Sequence, residues 1–176
     1  MWDHAVANAP LFTDERDYFS RLGLLEAAVR EGRVRCHAVC LLGTHEHLLL
    51  SVEEGKLAAA MQRLNRNYAG IFNVRHGRRG RVYWAPYGSK LVESEQYLLE
   101  LIRYVALNPE WATQVRAEQY LWSSYADLLG LRRAMPFVDP APLLDAVGGG
   151  EGARARIAQL VADGRVLGRR RVEGRL

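Results

Sequence analysis

Two histidines separated by one residue open an apolar, β-prone run, Gly43-Thr44-His45-Glu46-His47-Leu48-Leu49-Leu50. A strand alternates its side chains between faces, so His45 and His47 point one way, while Leu48 and Leu50 point the other, toward a core. Glu46 falls on the leucine face, where it is expected to sit near the strand start and reach water. Two imidazoles on one face of a rigid strand can hold one divalent metal ion. The same pattern also arises as two half-exposed strand residues, and the spacing alone does not separate the two readings.

The rest of the chain reads as alternating strands and helices. Trp2 to Asn8 forms a first strand. Thr13 is the expected cap of a helix with Asp14 and Glu15 in its first turn. Its apolar stripe is Phe19, Leu22, Leu25 and Val29, and Gly32 ends it. Val34 to Leu42 is a second strand, Gly43-Thr44 a turn, and His45 to Val52 the third strand. Leu57, Met61, Leu64, Tyr68, Ile71 and Phe72 keep helical spacing, which predicts an amphipathic helix from Leu57 to Arg75. Val82 to Val92 reads as extended, interrupted at Pro86 and Gly88. Ser94 caps the next helix, with Leu98, Leu101, Ile102 and Val105 facing a core and Pro109 ending it. Ser123 to Leu131 and Pro140 to Val147 are helical, the latter capped by Asp139. The glycine-rich stretch 148–152 is a joint, and Ala153 to Ala162 is a last short helix. This order suggests an α+β fold, a ferredoxin-like antiparallel sheet packed with helices, with a C-terminal helical extension.

The chain has 176 residues, 24 basic and 20 acidic, and the charge is segregated. Eight basic residues and no Asp or Glu lie between Lys56 and Lys90, leaving 16 basic and 20 acidic residues elsewhere. Such a segment is what a polyanion-binding face looks like. Cys36 and Cys40 share a strand face but stand too far apart along it for a disulfide, so buried free thiols are expected. No apolar run is long enough to span a bilayer. Met1-Trp2-Asp3-His4 has no charged-then-apolar signal pattern, and a cytoplasmic protein is expected.

A two-histidine site needs further ligands. At about 100° per residue, Tyr104 and Asn108 share a helical flank between the leucine stripe and solvent. An Asn carbonyl is a hard oxygen ligand suited to Mg²⁺ or Mn²⁺. The same positions also suit a flank aromatic and a C-terminal cap. Tyr97 shares the flank and is the rival phenol.

The block from Cys40 to Leu50 resembles the His-hydrophobe-His block of the HUH single-tyrosine transposases. The chain is most similar to the REP-associated tyrosine transposases. Met61-Gln62-Arg63-Leu64-Asn65, Arg75-His76-Gly77-Arg78, Tyr97-Leu98-Leu99-Glu100-Leu101, Arg103-Tyr104-Val105-Ala106-Leu107-Asn108-Pro109 and Trp122-Ser123-Ser124-Tyr125 match that family in order and spacing. The resemblance implies a transposase domain over residues 1–112; the residues themselves read as a helical extension over 113–164 and a basic, disordered tail over 165–176. It implies that His45, His47 and Asn108 bind a divalent metal (Mg²⁺ or Mn²⁺) and that Tyr104 attacks a DNA phosphate. Its implied substrate is single-stranded, hairpin-forming DNA, with a nucleoid-associated location. Arg63, Arg66, Arg75, Arg78, Arg79, Arg81 and Lys90 are the expected DNA-backbone contacts, and Tyr83, Trp84 and Tyr87 are open to base stacking or core packing.

Four departures from the family pattern stand out. Gly43-Thr44 replaces Pro-Asn before the first histidine. Glu46 stands where an apolar residue is usual. Pro86 and Gly88 replace basic residues around Tyr87. Glu110-Trp111-Ala112 replaces Val-Arg-Ala after the Asn-Pro pair. Alternatives to the transposase are a hairpin-binding protein that has lost turnover and a metal-dependent nuclease that uses water. Oligomeric state is left open between monomer and homodimer.

Each phosphate contact to a single strand contributes about −0.7 to the log–log salt slope of binding. Replacing Arg78, Arg79 and Arg81 together by Ala should therefore weaken oligonucleotide binding and flatten the slope by about 2. Affinity titrations at several salt concentrations check this, and an unchanged slope would mean that these arginines merely face solvent.

Overall fold

The computed structural model describes residues 2–4 as backbone, and residues 9–84 and 87–168 with their side chains. Its described elements, in chain order, are β1 (Trp2–His4), α1 (Glu15–Arg30), β2 (Arg35–Leu42), β3 (His45–Ser51), α2 (Leu57–Arg75), α3 (Glu95–Thr113), α4 (Tyr125–Leu128), α5 (Ala141–Asp145) and α6 (Ala153–Leu167). The architecture is α+β, with strand order β1-β3-β2. The β1–β3 pair is antiparallel in the register Trp2↔His47, Asp3↔Glu46, His4↔His45. Residues 5–8, expected in the first strand, lie outside the described residues. No helix among the described residues is long and apolar enough to cross a membrane.

Contacts divide the chain into two compact units. The first takes the chain up to Cys36 and from Leu41 to Ser89; the second takes His37–Cys40 and the chain from Lys90 onward. Strand β2 thus supplies residues to both.

In the first unit α1 packs against α2. Asp14, not Thr13, is the cap of α1, accepting the N–H groups of Arg16 at 2.9 Å and Asp17 at 3.2 Å. A carboxylate there also meets the positive end of the helix dipole. Thr13 instead donates its backbone N–H to Asp17 Oδ2 at 2.8 Å. The buried face of α1 is Asp17, Arg21, Leu25 and Ala28, and Phe19 is 63% exposed. The expected apolar stripe is displaced because the two charged residues find ion-pair partners inside, and those partners set the rotation of the helix. Helix α2 has the expected bounds and buries Met61, Leu64, Tyr68 and Phe72. The Tyr68 hydroxyl donates to Leu11 O at 2.6 Å, and burial holds its pKa well above the usual phenol range. The run from Val82 to Val92 is not a strand among its described residues; only isolated bridge positions occur, at Tyr83 and Gly88. Gly88 has no side chain to pack in a ladder, and Pro86, outside the described residues, has no N–H to give one.

In the second unit α3 packs on α6 and α5. Ser94 caps α3 as expected, accepting the Tyr97 N–H at 3.2 Å. Pro109 does not end the helix, which continues to Thr113 and closes on Gln114 at φ 62°. A mid-helix proline costs about 3 kcal/mol, but tertiary contacts hold the turn beyond it. Glu110 accepts Ala117 N–H at 2.9 Å and the Arg165 guanidinium at 2.8–3.1 Å, and Arg165 also reaches Glu118 at 2.6 Å. Burial alone would raise the Glu110 carboxyl, but these donors outweigh it and hold its pKa below the usual range. Arg165, expected in a disordered tail, instead lies in α6, which runs to Leu167; the rest of the tail beyond Gly168 lies outside the described residues. Helices α4 and α5 are shorter than their periodicity predicted, and Asp139 Oδ1 accepts Ala141 N–H at 3.0 Å. Ser124 joins the β2 residues of this unit: its N–H donates to Val39 O at 2.9 Å and its Oγ accepts Val39 N–H at 3.0 Å. Both cysteines are buried and free, as expected.

Gly164 sets how closely α6 approaches α3. A Cβ placed there would overlap the Arg103 side chain and stand 2.8 Å from Leu107 Cδ1. Gly164→Ala should destabilise the protein by about 1–3 kcal/mol through overpacking, although Ala is the better helix former by about 1 kcal/mol. Gly70→Ala in α2 meets nothing within 4 Å and should be stabilising. Urea midpoints of the two variants check the contrast; equal shifts would remove the close-approach argument.

Candidate functional site

The histidine strand is held from behind. Glu46, expected at the water, is 0% exposed, and its partner Arg21 is 1% exposed. Arg21 donates from Nε to Glu46 Oε2 at 2.8 Å and from its second nitrogen to Oε1, a two-pronged pair. The same nitrogen donates to Asn65 Oδ1 at 2.9 Å. The guanidinium also lies 5.6 Å from the Tyr68 ring centroid and 5.8 Å from that of Tyr83. One arginine of α1 thus ties β3 to α2 through charge-assisted bonds. This corrects the sequence expectation: the glutamate stays on the leucine face because the fold brings it a buried cation.

The alternation of β3 then places His45 and His47 on the opposite face. Their ring centroids stand 5.2 Å apart, with the planes nearly perpendicular at 84°. His47 is 6% exposed and His45 is half-buried. Thr44 Oγ1 lies 3.2 Å from His45 Nδ1, which turns Nε2 away from the threonine. Among the described residues no three His, Cys, Asp or Glu side chains gather as a metal-binding group.

The four expected core residues divide between the units, His45 and His47 in the first and Tyr104 and Asn108 in the second. Within α3 Tyr104 and Asn108 stand one turn apart as the spacing predicted. Asn108 is buried rather than on a flank, and its Nδ2 donates to Tyr104 O at 3.2 Å. Tyr104 is half-buried, its ring 5.9 Å from that of Trp111. Tyr97 is also half-buried, with Lys90 Nζ 4.4 Å from its ring centroid.

The basic residues fall into two groups. Arg63, Arg66, Arg78, Arg79, Arg81 and Lys90 are exposed. Arg75 instead bonds to Asp14 at 2.9–3.0 Å and to buried Asp17, which also faces His76 Nε2 at 3.0 Å. Its guanidinium is therefore engaged in joining α2 to the start of α1. The Asp14 carboxyl is held below its usual pKa chiefly by the hydrogen bond from Arg75. Asp17, Arg21 and Asn65 were not read from the sequence as supports of the site. A signal for Arg21 was present: a glutamate on the buried face of a strand demands a cation, and Arg21 shares its helix face with Leu25.

No family model matches this chain, and neither does any curated protein or solved structure.

Removing one partner of a buried pair leaves the other charge stranded, which costs about 3–5 kcal/mol. Arg21→Met and Glu46→Leu should each be destabilising by that order, while the double replacement should recover most of the loss. A double-mutant cycle in chemical denaturation checks this, and additive losses would show that the pair is not coupled.

Proposed function

We propose that this protein cleaves and rejoins single-stranded, hairpin-forming DNA in a metal-dependent reaction, with Tyr104 as the nucleophile. The observation that carries the reading is the pair of adjacent imidazoles, His45 and His47, on a strand whose other face is locked by Arg21 and Glu46. The ring centroids of the two imidazoles stand 5.2 Å apart, near enough for both rings to approach one ion. The residues that would hold the ion are His45, His47 and Asn108, and when bound it polarises the scissile phosphate and offsets charge on its oxygens.

Tyr104 supplies the attacking phenolic oxygen. A bond forms from that oxygen to phosphorus as the bond to the 3′ oxygen breaks, and the departing oxygen takes a proton to leave a free 3′-OH. The product is a 5′-phosphotyrosine link that conserves the phosphodiester energy, so rejoining needs no ATP. Arg63, Arg66, Arg78, Arg79, Arg81 and Lys90 hold the backbone. A protein acting on such DNA would be nucleoid-associated.

Tyr104→Phe should eliminate the covalent 5′ adduct formed with hairpin DNA and Mg²⁺ or Mn²⁺. Hairpin affinity should change by less than about 1 kcal/mol, since one hydroxyl adds little to backbone binding. Tyr97→Phe should keep the adduct, and peptide mapping should place the nucleotide on the Tyr104 peptide. Chelator or His45→Ala should stop cleavage while leaving most binding intact. Tight binding with no cleavage under any divalent metal would favour the hairpin-binding protein, and cleavage without adduct would favour the water-using nuclease.

A further inference from the structure

We infer that Trp84 stacks on an unpaired base of single-stranded DNA, beside arginines that hold the flanking phosphates; this rests on the proposed DNA substrate and names the residue that selects single strands. Three aromatic residues, Tyr83, Trp84 and Tyr87, follow the basic turn. Tyr83 faces inward: its ring lies 6.3 Å from that of Tyr68, it sits beneath the Arg21 guanidinium, and its hydroxyl is out of contact with solvent. Tyr87 is half-buried. Trp84 is 64% exposed, next to a buried Val82 at 3%.

One exposed tryptophan needs no explanation by itself. Here the surroundings supply one. The last turn of α2 is fixed by Arg75 and His76 on Asp17. Gly77 at φ 59° then turns the chain, Arg78 N–H donates to Asn73 O at 2.9 Å, and Asn73 Nδ2 donates to Gly80 O at 2.8 Å. Arg78, Arg79 and Arg81 leave this braced turn exposed. Arg78 lies 5.5 Å from the Phe72 ring centroid, and neither Arg79 nor Arg81 forms an ion pair with a described residue. No Asp or Glu occurs between Gly55 and Val92. Exposed arginines and an exposed indole within the stretch 78–84 suit a ligand that offers both negative charge and a flat apolar face. A single DNA strand offers both, a phosphate to each arginine and a base to the indole. A duplex keeps its base faces covered by stacking, so the indole discriminates against it.

The test measures anisotropy of the full chain with a labelled oligo-dT and with a blunt duplex of the same length. Trp84→Ala should weaken oligo-dT binding about tenfold, the scale of one base–aromatic stack. Its duplex affinity and its salt slope should stay unchanged, because no phosphate contact is removed. Trp84→Phe should keep most of the affinity, and unaltered melting of both variants should exclude a folding defect. Equal losses on single strand and duplex, or no loss on oligo-dT, would overturn the assignment. Wild-type binding without any covalent adduct would sink the proposed cleavage while leaving Trp84 as the stacking residue; normal oligo-dT binding by Trp84→Ala in an adduct-forming protein would sink the stacking alone.

Discussion

A carboxylate buried at 0% exposure against an arginine at 1% is the constraint on which the first unit turns. Burying two charges costs several kcal/mol per ion, and only close geometry and further hydrogen bonds offset it. Arg21 has both, through two contacts to Glu46, one to Asn65 and two aromatic rings alongside. A pair of this kind adds little net stability over apolar residues, but it specifies register sharply. A one-residue slip of β3 would exchange the faces of the histidines and the glutamate. The cost of stranding Arg21 opposes that slip, and the imidazoles stay on the face opposite Glu46.

The second unit shows the same physics around Glu110 and Trp111. Each has a partner here: Glu110 takes Arg165 from α6, and Trp111 lies against Tyr104. Glu46 with Arg21, and Glu110 with Arg165, are therefore carboxylates matched by a cation from a neighbouring helix, and each pair is an integrated part of the fold.

What could be read from the sequence follows from how local each determinant is. The bounds of α2, the Ser94 cap, the turn at Gly43-Thr44 and the two buried thiols depend on neighbours a few residues away, and they stand as the periodicity predicted. The rotation of α1 does not, because it depends on Asp17 meeting Arg75 and on Arg21 meeting Glu46, contacts that span 58 and 25 residues. Pro109 misled for the same reason: local sterics argue for a stop, and the contacts of Glu110 carry the helix on. The histidine pair and the Tyr104–Asn108 spacing were legible as patterns, while the braces that hold them were not.

The proline also bears on the candidate ligand beside it. Lacking an N–H, Pro109 cannot give the usual helical bond back to the Val105 carbonyl. One residue earlier, Asn108 directs its amide nitrogen to the Tyr104 carbonyl. That bond fixes the amide's orientation, since the nitrogen is the donor and must face the carbonyl. That leaves the side-chain oxygen as the acceptor end, the kind of atom a hard cation binds. Burial of Asn108 at 2% exposure limits its rotamers further. Asp at this position has no N–H to donate to the carbonyl and would place a carboxylate oxygen against it. An amide therefore suits this turn better than a carboxylate, for a reason that lies in the helix itself.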